Sequence, residues 1–179
     1  MRHLPQSLLR PLLCVPLLCA ATAWAGKAHR HGVAEMQLAI EQTQVVVAME
    51  IPLDSLVGYE RAPRNEAERR AAADALVKMK EAGSLFKFDA AAACRAKEAT
   101  VEAPVLEGKA ASGKNDEHAQ LEATFVFVCS DPAKITRIEV NLFDTFKRLE
   151  KIEGQSVSVR NQTKFVLTRS ARVFKLSGQ

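Results

Sequence analysis

The chain has little of what usually announces an activity. It contains no GxSxG, no HExxH, no glycine-rich phosphate loop and no CxxC pair. No histidine stands close in sequence to a serine or cysteine that it could activate. Nucleophilic, metallopeptidase, phosphate-binding and thiol-redox chemistry therefore have no local motif to rest on, and the chain reads as a non-enzyme. Asp54, Glu60 and Asp144 are the carboxylates left for acid and base work, and scattered acids on a mixed-charge surface are ordinarily just solvated. An excess of one charge is also missing, with 25 basic against 21 acidic side chains. Two of those basic residues, Arg2 and Arg10, fall within the first 25 positions, which hold no acid, so the remainder is close to neutral. A nucleic-acid partner needs a concentrated positive patch and is excluded on that ground.

Long apolar runs are scarce as well. The one present, from Leu8 to Ala23, follows a basic start and precedes Ala23-Trp24-Ala25. It is interrupted by Pro11 and Pro16 and is short for a membrane span, so it reads as a signal peptide cleaved after Ala25. A lipoprotein is the competing export reading, because Cys14 and Cys19 lie in the run, yet each follows a leucine where a small residue is expected. The single tryptophan, Trp24, leaves with the signal. What remains, residues 26–179, suits one domain with one core and no membrane attachment. With 47% hydrophobic and 26% charged residues, the chain is neither a disordered tail nor a polytopic membrane protein.

Cysteine is reduced to Cys94 and Cys129 in an exported, oxidising compartment, where one disulfide is the default. A thiolate metal ligand or a redox pair is the alternative. Strands are indicated by period-two alternation. Met36, Leu38 and Ile40, then Val45, Val47, Met49 and Ile51, form a hairpin turning near Gln42. Further strands are expected at Leu121–Cys129, Ile138–Leu142, Val157 and Val159, Phe165 and Leu167, and Val173–Leu176. Asn65–Ala82 breaks the rhythm, with Ala72, Ala75, Leu76 and Met79 at helical spacing, a capping box of Asn65 and Glu68, and Gly83 as the stop. Phe143, Phe146, Leu149 and Ile152 read as a short helix or turn, Pro52–Pro63 as a buried connector, and Gly108–Gln120 as an exposed loop. The fold class is α+β: a single domain, mainly antiparallel sheet, with one long amphipathic helix laid on it.

Metal-ligating residues are few. His29 and His31 precede the first strand, and if extended backbone starts there, both imidazoles point to one side and can grip one ion. His118 closes the polar loop beside Asp116 and shares a strand face with Gln120 and Glu122. Imidazole nitrogen with a carboxylate oxygen suits zinc, which takes four donors or three plus water. The set of His29, His31, His118, Glu122 and Asp116 is complete only if the two clusters meet in space; otherwise the histidines belong to a solvated tail and loop.

The order HRHGVAEMQLAIE, IPLDSLVGYERAP, helix, cysteine, polar loop, HAQLEATFVFVC and NLFDTFKRLEKI resembles the ZrgA-like zinc-regulated periplasmic proteins over nearly all of the chain after residue 25. That resemblance implies a periplasmic zinc-binding protein that assists zinc acquisition alongside a zinc ABC transporter and its solute-binding protein. It also implies ligand roles for His29, His31 and His118 and a bridge between Cys94 and Cys129. Two departures stand out. Glu122 occupies a position where relatives often carry a second histidine, and the loop GKAASGKNDEHAQ keeps one histidine where they commonly carry a His/Asp tract. The competing functional reading is a metal-free periplasmic adaptor that docks a transporter component.

Overall fold

A computed structural model describes residues 30–108, 119–159 and 161–176. In chain order the elements are β1 Val33–Ile40, β2 Gln44–Pro52, α1 Leu53–Val57, α2 Glu66–Lys80, α3 Ala82–Leu85, β3 Phe86–Phe88, β4 Cys94–Glu102, β5 Gln120–Cys129, β6 Arg137–Val140, α4 Leu142–Thr145, β7 Lys151–Ser158, β8 Gln162–Thr168 and β9 Val173–Lys175.

Alternation places one face of each central strand inside. β1 buries Ala34, Met36, Leu38 and Ile40, and β2 buries Val45, Val47, Met49 and Ile51. The two pair antiparallel from Ile40 opposite Val45 to Glu35 opposite Glu50, which is the expected hairpin. β5 alternates in the same way and adds to the other edge of β2. The six-stranded sheet runs β4-β5-β2-β1-β7-β8, antiparallel at every neighbour but one: β1 and β7 are parallel. A three-stranded antiparallel sheet, β3-β6-β9, packs on it through aromatic contacts. Phe86 meets Phe125 at 5.2 Å and Phe127 at 5.9 Å between ring centroids, and Phe165 meets Phe174 at 4.4 Å. The molecule is therefore α+β and sheet-dominated, with antiparallel pairing prevailing.

The long helix forms where its spacing and cap place it. Asn65 accepts a hydrogen bond from the Glu68 amide, and Ala72, Ala75 and Met79 turn inward. The reciprocal half of the capping box shifts by one residue, since the Glu68 carboxylate takes the Arg64 amide instead. The helix ends at Lys80, before Gly83, which lies within α3. Leu142 opens α4 rather than closing β6, and Ile152 belongs to β7 rather than to a helical run with Phe143. Val159 lies just past the end of β7 and is exposed.

Two strands give no signal in the sequence. β3 has three residues, and β4 is an edge strand whose inner positions are few, with Arg95, Lys97 and Glu98 exposed along it. Charged side chains on an edge obstruct pairing with other chains and erase the alternation at the same time. Cys94 and Cys129 stand opposite each other across β4 and β5 and are joined by a disulfide, as the cysteine count indicates.

Candidate metal centre

The open end of the β1–β2 hairpin carries the group of interest. The chain enters β1 through a tight turn in which the Val33 amide donates to the Arg30 carbonyl at 3.0 Å. Gly32 has φ +74°, a conformation that costs a residue with a Cβ, and its carbonyl accepts from the amides of Glu150 and Lys151 at 2.9 and 3.0 Å. Its own amide donates to the hydroxyl of Ser55 at 3.2 Å. Ser55 is fully buried, and with this bond and a second, donated to Asp54 Oδ1 at 3.3 Å, its hydroxyl is satisfied. The turn holding His31 is thus tied to the start of β7 and to α1.

Asp54 is the second residue of α1, directly after β2. Its Oδ2 lies 2.8 Å from His31 Nδ1, and the two side chains are 20% and 73% exposed. Glu60 completes the group: one ligand atom from each of His31, Asp54 and Glu60 falls within 4.8 Å of the others. The hydrogen bond to Asp54 raises the His31 pKa above its ordinary 6.5, and the charges of Asp54 and Glu60 add to the effect. One imidazole and two carboxylates within that span are a donor set suited to zinc.

The segment that delivers Glu60 is anchored at both ends. Gly58 closes α1 with φ +88°, its amide donating to the Asp54 carbonyl at 2.9 Å, and the Arg148 guanidinium lies so near that a Cβ here would sit 2.9 Å from Nε. Tyr59 Oη donates to the Glu68 carbonyl at 3.0 Å, and Arg61 forms a fork on the Glu68 carboxylate at 2.7 and 2.9 Å. The same guanidinium stacks 4.7 Å from the centre of the Tyr59 ring. Arg61 and the Arg64 amide together hold the Glu68 pKa at about 2, so that carboxylate is charged at any ordinary pH.

Of the ligands expected from sequence, His31 stands in this group. His29, His118 and Asp116 lie outside the described residues. The premise of extended backbone at His31 does not hold, because residues 30–32 form the turn and β1 begins at Val33. Glu122 belongs to a different arrangement. It stands opposite Glu50 on β2 and Glu102 on β4, while Glu50 faces Glu35 on β1 and Glu35 faces Glu153 on β7. Five glutamates thus form one row across five adjacent strands. Arg30 and Lys151 pair with Glu153 at one end, and Gln120 donates to Glu122 at 3.2 Å.

Asp54 and Glu60 emerge from a segment read from sequence as a buried connector, of which only part is buried: Leu53 and Ser55 are inside, Asp54 is half-buried and Glu60 is exposed. A usable signal was present for Asp54. Extending the hairpin register outward from Glu35 opposite Glu50 brings His31 opposite Asp54. Glu60 had no such signal, since its place depends on the contacts of Tyr59 and Arg61 with a helix later in the chain.

No individually curated protein matches this sequence. The family model described as "ZrgA family zinc uptake protein" matches residues 28–176, which takes in every described element and the whole of the His31, Asp54 and Glu60 group. The chain therefore belongs to the ZrgA family of zinc uptake proteins.

Proposed function

We propose that the protein is exported to the periplasm, with residues 1–25 removed after Ala25, and there binds one zinc ion through His31, Asp54 and Glu60 for delivery into zinc uptake. The observation that carries this reading is the 2.8 Å contact of His31 with Asp54, with Glu60 beside it, in a member of a zinc uptake family. Three protein donors leave one position of a tetrahedral zinc open. His29, two residues before His31, is our first choice for it. His118 is the second, because the carbonyl of the next residue, Ala119, accepts the Leu53 amide at 3.0 Å, one residue from Asp54. Asp116 is an auxiliary carboxylate in this reading, and Glu122, in the glutamate row opposite Glu50, is not part of it.

Exposure of His31 argues for handing zinc on rather than for holding it as a structural plug. The disulfide and an extensive apolar core support the fold without metal. The acceptor we propose is the solute-binding protein of a zinc ABC transporter, and no catalytic step is part of the role. Calorimetric titration of the metal-free exported chain with Zn²⁺ tests the site. One ion should bind, Asp54→Asn should weaken it by about tenfold or more, and His31→Ala should abolish it. Zinc uptake by His31→Ala equal to that of the unsubstituted protein rejects the site.

A further inference from the structure

We propose that Glu68 is a positioning residue for zinc: through Tyr59 and Arg61 it fixes the segment that presents Glu60 to His31 and Asp54. The proposal rests on the zinc site argued above and deepens it. Glu60 is exposed and lies in irregular backbone, so left to itself it would be spread over many conformations, and each would have to be given up when an ion binds. Its two neighbours remove most of that freedom beforehand. Tyr59 is tied through its hydroxyl to the Glu68 carbonyl, and Arg61 is tied by a two-pronged bond to the Glu68 carboxylate, so Glu60 is bracketed by residues anchored to one helical position. The Arg61 guanidinium stacks on the Tyr59 ring, which couples the two anchors to each other across Glu60. The Arg64 amide, at 2.7 Å from Glu68 Oε2, fixes the far end of the same segment, and Arg148 packed on Gly58 fixes the near end.

A bidentate guanidinium–carboxylate pair is directional as well as strong, so it sets an orientation where a single contact would only tether. Glu68 itself is no ligand, since the zinc group consists of His31, Asp54 and Glu60. Its effect on zinc must therefore pass through Glu60, and this separates a positioning role from a general contribution to the fold.

The test is a double-mutant cycle read as Zn²⁺ affinity, measured on the exported chain by competition with a chromophoric chelator. Glu68→Gln should weaken Zn²⁺ binding by about fivefold, the ordering of roughly one residue. In the Glu60→Gln background the same substitution should change nothing. Tyr59→Phe removes only the hydroxyl anchor and leaves the Glu68 side chain in place, so it should weaken binding by about twofold even if Glu68→Gln fails to fold. Unchanged affinity in Glu68→Gln and Tyr59→Phe, or an equal loss with and without Glu60, overturns the positioning role. If His31→Ala still binds zinc like the unsubstituted protein, the site itself is rejected and the positioning role falls with it. Loss in His31→Ala with none in Glu68→Gln and Tyr59→Phe rejects the positioning role alone.

Discussion

His31 can hold a proton or, in the proposed site, a metal ion, and Asp54 influences both. Its hydrogen bond favours the imidazolium, so the His31 pKa is raised. Zinc requires the neutral ring, and binding therefore expels a proton over a range reaching above pH 6.5. Apparent zinc affinity should rise with pH through that range and level off once His31 is neutral. For the metal-free fold the sign follows from the same shift. The His31–Asp54 pair contributes its full stability below the unfolded pKa of about 6.5 and loses it as pH rises through the folded value. Glu68 behaves oppositely: with its pKa lowered to about 2, its contribution is present at neutral pH and disappears on acidification toward that value. An NMR titration of the imidazole in Asp54→Asn should return the His31 pKa toward 6.5, and an unchanged value would show that Asp54 is not what raises it. At this scale the sequence offered His31 through the resemblance of HRHGVAEMQLAIE to the ZrgA family, whereas the residues alone left a solvated tail as the alternative. It offered Asp54 only to a reader who extended the hairpin register outward by four residues.

Among the elements, the hairpin and the long helix were legible because each buries one face at a regular interval. Met36, Leu38 and Ile40 repeat every second residue, and Ala72, Ala75 and Met79 follow the helical repeat. β4 was not, for the same reason inverted: an edge strand needs charge where an alternating pattern would show apolar side chains. The glutamate row is a second arrangement that no single strand displays, because it exists only in the lateral register of β4, β5, β2, β1 and β7. Neighbouring strands are about 4.8 Å apart, and like charges directly opposed at that spacing repel. Glu50 has a glutamate opposite it on both sides. Glu50→Gln should therefore stabilise the protein by about 0.5 kcal/mol in urea unfolding at low salt, and the gain should shrink at ionic strength near 1 M. Destabilisation, or a gain indifferent to salt, would contradict the repulsion.

The whole molecule sets the disulfide and the candidate metal group at opposite ends of the same hairpin. At the turn end of the hairpin, the Cys129 amide donates to the Thr43 carbonyl at 3.0 Å, and the Cys94–Cys129 disulfide ties β4 to β5. Closing a loop with that separation of 35 residues contributes roughly 3–4 kcal/mol on the chain-entropy model. At the open end, His31, Asp54 and Glu60 gather around a turn whose backbone is held by β7 and by buried Ser55. The disulfide thus lies at the end of the hairpin away from this group, of which His31 and Glu60 are exposed. The cysteine count made the bridge legible. The meeting of His31 with two residues of the 52–63 segment was not, because it needs the hairpin register and the Glu68 anchor at once.

Diffraction from crystals of the zinc-loaded exported protein, with anomalous differences collected on both sides of the zinc absorption edge, tests the central claim most directly. The account predicts one zinc peak about 2.0–2.2 Å from a nitrogen of His31 and from carboxylate oxygens of Asp54 and Glu60. A zinc peak held by other residues, with His31 and Asp54 still hydrogen-bonded to each other, would contradict it.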